Sequence, residues 1–503
     1  MNSVWLENRQ TKEKGESLKE DKYTDVCIIG GGIFGIVTAY YLIQQGKRVV
    51  LLEKEEIAHK TTGHTTAKIT SQHGAIYAYM VEKYGVEFAR KYWEANEQAI
   101  QDIWKNVTDN QIDCSLEIQD NYIYARTEEE ANTVIQEYEA LKKITDKVEL
   151  VDKTALPFCI RNAVKMKAQA QFHPLEYIDG LVQKIQKLGG EIFEHTLCED
   201  VKKEKEEYQC KAGKYTVHAK YVVIATHYPF LNVPGLYFTK MYQSSSYVLG
   251  VDTKTKLGEG MYINPSSPIF SYRTVEKDGK RLLLLGGADH KTGQPVTEEE
   301  TYGALEKELR KWYPEAEVLY KWSTRDCITL DKIPYIGEFS HLLPHVYVGT
   351  GFNKWGMTSS HVAARIVSDI ILEKQNPYAE IFEATRMHLI VNKEEVKNMV
   401  VDTTKGLVVE RFQKETLTIE DIANGDGGIV EIEGKKVGVY KDEQGEIYAV
   451  KPVCTHLGCV LNWNGADKTW DCPCHGSRFG YDGQNVYEPA NKRLEKIHID
   501  IDF

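Results

Sequence analysis

What is missing from these 503 residues narrows the field first. No apolar run approaches the ~20 residues that a membrane-spanning helix needs. The opening stretch, residues 1–22, is studded with charges and has no continuous apolar region of the kind a secretory signal uses. A cytoplasmic protein without a membrane span is therefore expected. A basic excess is missing too: 62 Lys and Arg stand against 74 Asp and Glu, for a net charge of −12. That balance repels a phosphate backbone and argues against a nucleic-acid partner. Internal repeats and low-complexity tracts are absent. Over most of the chain cysteine is sparse: Cys27, Cys114, Cys159, Cys198, Cys210 and Cys327 lie singly. They lack the close spacing of a secreted disulfide framework and read as buried free thiols. The other four of the ten, Cys454, Cys459, Cys472 and Cys474, crowd together near the carboxyl end.

The chain exceeds the ~250–300 residues at which single cores stop growing, so at least two domains are expected. Residues 1–22 read as a polar, mobile arm. Val26-Cys27-Ile28-Ile29 then forms a short apolar run entering glycines, Ile33 to Gln45 reads as a helix, and Arg48 to Glu53 as a second strand. Strand, glycine turn, helix and strand together make the βαβ unit that begins a Rossmann-type sheet. Tyr221–Thr226 and His345–Gly351 repeat the strand-then-small-residue pattern and are expected to return to that sheet. The charged helical and aromatic-rich segments between these returns form an interleaved second lobe. A helix is expected from about Thr358 to Lys374, and residues 376–415 link it to the last part of the chain. From 416 to 503 short β-like runs, among them Gly428–Ile432, Lys436–Tyr440 and Ile447–Val450, alternate with turn residues, as in a small all-β domain.

That last domain carries Cys454-Thr455-His456-Leu457-Gly458-Cys459 and, after a spacer, Cys472-Pro473-Cys474-His475-Gly476-Ser477. Each loop supplies one Cys–His pair. Thiolates suit iron–sulfur clusters, and imidazoles in place of two of them lower the negative charge and raise the potential. Zinc is the rival reading, since two Cys and two His also make a tetrahedral site, but zinc fingers group their cysteines and their histidines separately. A metal-free cysteine cluster is the third.

The two boxes resemble those of Rieske proteins. The resemblance implies a [2Fe–2S] cluster with Cys454 and Cys472 on one iron and His456 and His475 on the other. It further implies a disulfide between Cys459 and Cys474, as in the cytochrome bc type, and a Ser477 hydroxyl donating to a bridging sulfide. Phe479 stands where high-potential members carry a tyrosine, which implies a lower potential within the Rieske range of about −150 to +300 mV. Tyr487-Glu488-Pro489-Ala490 resembles the proline loop that covers the cluster.

Near the other end, Gly30, Gly32 and Gly35 of Gly30-Gly31-Gly32-Ile33-Phe34-Gly35 have the G-x-G-x-x-G spacing. They follow a strand and open a helix, so backbone N–H groups can face a pyrophosphate. Glu53, with Lys54 beside it, ends the second strand, where an acid can accept from an adenosine ribose. A tight turn without ligand is the bland alternative, and FAD and NAD share the fingerprint.

Over residues 23–375 the chain resembles the D-amino-acid oxidase and glycine oxidase class of FAD-dependent oxidoreductases. The likeness is carried by Thr61-Thr62-Gly63-His64-Thr65-Thr66-Ala67-Lys68, by Ala225-Thr226, and by Gly351-Phe352-Asn353-Lys354-Trp355-Gly356-Met357-Thr358. It implies that FAD is bound by the glycine turn with Ile33 and Phe34, by Glu53 and Lys54, by Thr61, Thr62, Thr65 and Thr66, by Ala225 and Thr226, and by Gly351, Asn353, Lys354, Gly356 and Met357. The last segment would approach the flavin ring, where negative charge grows on reduction. His64 raises the question of a covalent link, but the class's attachment sequence differs and noncovalent FAD is expected. Lys68 and Lys354 are candidates to tune the flavin or to be solvated.

Arg325, in Trp322-Ser323-Thr324-Arg325, sits where glycine oxidase-like enzymes carry a substrate-binding arginine. A planar guanidinium suits bidentate capture of a carboxylate, and a structural ion pair is an equal alternative. Glu56, His59 and His64 superficially offer a mononuclear iron site, which is set aside because they directly follow the ribose acid. The expectation is a Rossmann-type α/β FAD-binding domain interleaved with an α+β substrate lobe, followed by an all-β Rieske domain. Such a chain would oxidise an amine or amino acid and pass electrons through the cluster to an external one-electron acceptor. The alternatives are an electron-transfer protein without a small organic substrate, and an oxidase whose Rieske domain is only structural.

Overall fold

The computed structural model describes residues 3–7, 9, 15–231, 234–386 and 417–499. Its first sheet runs, from edge to edge, Tyr335–Glu338, Val346–Thr350, Tyr215–Ile224, Lys22–Ile29, Val49–Leu52 and Glu191–Phe193. Val26 and Val222 pair in parallel with Val49 and Val346 respectively. Both expected returns therefore lie in the sheet. The apolar runs are continuous because the sheet is covered on both faces. Val26, Ile28, Val49 and Leu51 face one core, while Cys27, Ile29, Val50 and Leu52 face the other. The helices Ile33–Gln44 and Gly356–Ile371 pack together on the first face.

Just past the fingerprint the chain crosses to a second sheet of nine strands. Lys68–Ile69 is its edge, followed in space by Asn162–Gln171, Glu117–Ala125, Met261–Ile263, Phe270–Lys277, Lys280–Lys291, Met241–Asp252 and Glu317–Thr329, with Val148–Val151 paired beside Asn162–Gln171. This sheet is the interleaved lobe. The carboxyl-terminal domain is a three-stranded antiparallel sheet (Gly427–Ile432, Lys435–Lys441, Ile447–Val450) and a four-stranded one (Asn462–Asn464, Thr469–Asp471, Arg478–Gly480, Asn485–Tyr487).

Three expectations need correcting. The amino-terminal arm is anchored at its apolar positions: Val4 and Trp5 are fully buried, and the Trp5 ring N–H donates to Thr65 O at 2.7 Å. The connection begins later than residue 376, because Ile381 and Phe382 are buried and Arg386 pairs with Asp331 at 2.8 Å. The remainder of that connection lies outside the described residues. Of the six scattered thiols, Cys159 is exposed.

The all-β domain is seated on the interleaved lobe. Asn464 bridges to Val296 in parallel, Gly465 N–H donates to Val296 O at 3.0 Å, and Asn462 Nδ2 donates to Gly293 O at 2.8 Å. Gly293 has φ +92°, and a Cβ there would lie 2.3 Å from Pro473 Cα. Only glycine permits both that backbone and so close an approach to the cysteine loop.

Candidate functional site

Between the two sheets, outside the carboxyl ends of the parallel strands, lies a cavity of about 430 Å³. This is where ligands bind in open α/β sheets. One part is lined by Gly30, Gly32, Ile33, Phe34, Glu53, Lys54, Thr61 and Thr62, another by Thr65, Thr66, Ala225 and Thr226, and a third by Lys354, Gly356 and Met357. Three expected residues stand behind the wall. A Cβ on Gly35 would meet Gly30 O at 2.0 Å and one on Gly351 would meet the Thr329 methyl at 2.2 Å, while Asn353 Oδ1 accepts from Thr329 N–H at 2.8 Å.

The first part fits the phosphate and ribose end of a dinucleotide. Gly30 has φ +112° and a Cβ there would sit 2.4 Å from Ala225 O, so the turn tolerates no side chain. The amino end of the helix Ile33–Gln44 lies at this wall, where the N-cap residue Gly32 supplies no side chain and Thr62 Oγ1 accepts from Ile33 N–H at 3.2 Å. The Glu53 carboxylate accepts from Gly31 N–H at 2.7 Å and from Glu55 N–H at 2.9 Å, placing an acid beside the glycine turn.

The opposite part carries charge of its own. Lys354 Nζ pairs with Asp289 at 2.8 Å and donates to Ser246 Oγ at 3.1 Å. Asp326 also lines the cavity, and burial pushes its carboxyl up to about 6 although Lys354 opposes the shift. Lys68 is buried at the same wall, where burial, reinforced by Arg273, pushes its ammonium down to about 7. His73, which lines the cavity as well, stacks on Trp355 with centroids 5.2 Å apart. Asp289, Asp326, His73 and Ser246 went unrecognised in the sequence, where nothing separates them from ordinary surface or core positions. The one available signal was strand alternation around Arg325.

Alternation also corrects Arg325. Thr324 and Asp326 face the cavity, so Arg325 between them faces away, toward the Rieske domain. Its guanidinium pairs with Asp467, donates to Ser323 Oγ at 2.7 Å and lies 5.3 Å from the Tyr487 ring centroid. Asp467 is shared with Arg478 at 2.9 Å, and Arg478 reaches Asp471 at 2.6 Å. Arg325 and Arg478 are each 2% exposed. The arginine is thus consumed by a buried interdomain network and has no free fork for a substrate carboxylate.

In the small domain, two tight turns present the expected ligands. Cys454 N–H donates to Cys459 O at 2.8 Å, and Cys472 N–H to Ser477 O at 2.8 Å. The disulfide Cys459–Cys474 ties the turns together. Cys454, Cys472 and His475 are buried, and the His456 and His475 rings stand perpendicular with centroids 5.0 Å apart. His475 Nδ1 is buried without a hydrogen-bond partner among the described residues. A buried ring nitrogen left open beside two buried thiols fits an iron ligand. The rival triad does not converge: His64 Nδ1 turns to Lys60 O at 2.8 Å, and His64 is absent from the cavity wall.

Comparison with known proteins agrees with both halves. Residues 25–370 match the family of FAD dependent oxidoreductases (DAO), and residues 414–498 the Rieske [2Fe-2S] domain. The chain is 40% identical to the Rieske 2Fe-2S iron–sulfur protein YhfW of Bacillus subtilis (strain 168), over 96% of this chain and 95% of that one. It is 21% identical to the gamma-glutamylputrescine oxidoreductase of Escherichia coli (strain K12), over 71% and 85%. Among solved structures, glycine oxidase from Geobacillus kaustophilus shares the fold with a TM-score of 0.62 at 19% identity, covering 73% of this chain and 99% of that one. The chain therefore belongs to the DAO family of FAD-dependent oxidoreductases, with an oxidoreductase domain that binds FAD and a carboxyl-terminal Rieske domain that binds a [2Fe–2S] cluster.

Proposed function

We propose that the protein is a cytoplasmic dehydrogenase of an amine or amino acid, whose electrons leave through the Rieske cluster to an external one-electron acceptor. The carrying observation is that residues 487–491 of the Rieske domain line the same cavity as the dinucleotide fingerprint. A single peptide segment thus separates the flavin cavity from the cluster loops. The likenesses favour nitrogen substrates: one relative is named for gamma-glutamylputrescine and a structural neighbour for glycine.

In this reading the substrate carbon gives up a hydride, its nitrogen loses a proton, and the imine so formed is hydrolysed by water to a carbonyl compound and ammonia or an amine. Bound FAD supplies the two-electron acceptor, and it can release those electrons one at a time. The chain's own groups orient the substrate. Asp326 and the Asp289–Lys354 pair offer carboxylate oxygens to an ammonium group, and Lys68, poised near neutrality, offers a donor to an anionic group.

The test is an anaerobic panel of amines and amino acids, read by flavin bleaching and by low-temperature EPR. A compound that bleaches the flavin and raises the reduced-cluster signal supports the proposal, and that signal should vanish in Cys472→Ser while bleaching persists. Because Arg325 is occupied by Asp467, the reading without an organic substrate keeps some support. It would be favoured if no compound bleached the flavin and a reduced one-electron carrier reduced it through the cluster. Repeated in air, peroxide formation from dioxygen that survives Cys472→Ser would instead indicate an oxidase with a structural Rieske domain.

A further inference from the structure

The loop Tyr487–Asn491 does more than cover the cluster. Glu488 Oε1 pairs with Lys54 Nζ at 2.5 Å, and Lys54 directly follows the ribose acid Glu53. One turn further on, Lys60 Nζ donates to Val486 O at 3.0 Å and lies 5.2 Å from the Tyr487 ring centroid. The loop is also held to the flavin domain's second sheet and to the cluster loop. Gln243 Nε2 reaches Glu488 O at 2.8 Å and His475 O at 3.1 Å, and Ala490 N–H donates to Ser477 Oγ at 3.0 Å. Covering a cluster requires neither lysine. Both lie on the chain segment that lines the phosphate and ribose part of the cavity, and residues 487–491 line the same cavity in contact with them.

We propose that this loop is a wall of the FAD site and that Glu488 is a positioning residue for FAD, fixing Lys54 beside the ribose acid. The Rieske domain thereby completes the flavin site, and FAD retention and docking of the Rieske domain are thermodynamically linked. Linkage is reciprocal: if docking tightens FAD, FAD must tighten docking by the same factor. The proposal concerns cofactor binding and is independent of whether electrons flow from flavin to cluster.

The test uses the deflavinated full-length protein and FAD itself, titrated by flavin fluorescence. Glu488→Gln keeps the side chain's size and removes its charge, and it should raise the FAD dissociation constant about tenfold, the effect of losing one charge-assisted contact. Lys54→Met should do the same from the flavin side. The double variant should be no weaker than the weaker single, because both break one interaction. In the unsubstituted chain, FAD should slow the loss of the cluster's visible absorbance to an iron chelator, and Glu488→Gln should abolish that protection. An FAD affinity unchanged or tightened in Glu488→Gln would overturn the proposal, as would additive losses in the double variant.

Discussion

At the scale of single residues, the contrast between Arg325 and its neighbours shows how position on a strand decides what a side chain can do. A guanidinium aimed into the cavity would capture a carboxylate. The same group one pleat away is buried with Asp467, and what it contributes is the seating of one domain on the other. Arg325→Met should therefore leave the KM for any carboxylate substrate within about twofold, where loss of a true anchor would raise it ~100-fold. Its cost falls on stability instead, about 2 kcal/mol in chemical denaturation, because Asp467 keeps Arg478 as partner while its share with Arg325 is lost. Steady-state kinetics and denaturation of the one variant separate the two roles.

At the scale of elements, the glycine turn and the helix after it divide structural from ligand-facing glycines. Gly30 has φ +112° and Ala225 O at 2.4 Å from where a Cβ would be, so Gly30→Ala collides with backbone and should yield little folded protein. Gly32 has φ −73°, and its would-be Cβ has Thr62 Oγ1 at an ordinary 3.5 Å. Gly32→Ala should fold normally by circular dichroism yet weaken FAD about tenfold or more, since the added methyl occupies the approach to the amino end of the helix at the cavity wall. These helices and strands were legible in the sequence with small shifts of boundary, because the strands are short continuous apolar runs, two of which enter glycines at Gly30 and Gly351. The interleaved lobe was not legible in detail. Several of its nine strands pair across long separations, such as Lys68 with Gln171, which local patterning does not encode.

At the scale of the whole molecule, buried imidazoles draw stability down as the pH falls. His361 is fully buried, with its Nδ1 2.7 Å from Met357 O and its Nε2 2.7 Å from the Tyr177 hydroxyl, and burial pushes its pKa down to about 4. His73 is pushed down to about 3 by burial as well. Below pH ~6.5 the unfolded chain takes up a proton at each ring, whereas the folded chain does not until about pH 4 at His361. Unfolding therefore binds protons in between, and stability that is fully present above pH ~6.5 is lost as the pH falls. The share of His361 is about 3 kcal/mol. Urea denaturation followed from neutral pH toward pH ~4 should show this decline, and His361→Gln should flatten it by that amount.

The amino-acid sequence alone determined the glycine turn and the four cluster ligands as candidates, each written in short, contiguous spacing that a local loop or turn converts directly into geometry. FAD was set apart from NAD by resemblance to a known class, because the two share that spacing. Only the tertiary structure decided which face of the strand Glu317–Thr329 meets the cavity, that Asp467, 142 residues on, takes Arg325, and that Glu488, 434 residues beyond Lys54, pairs with it at the cavity wall. Those pairings arise where two separately folded domains meet. Their physical basis is complementary charge and the burial of one domain against the other, and neither leaves a periodicity in the chain.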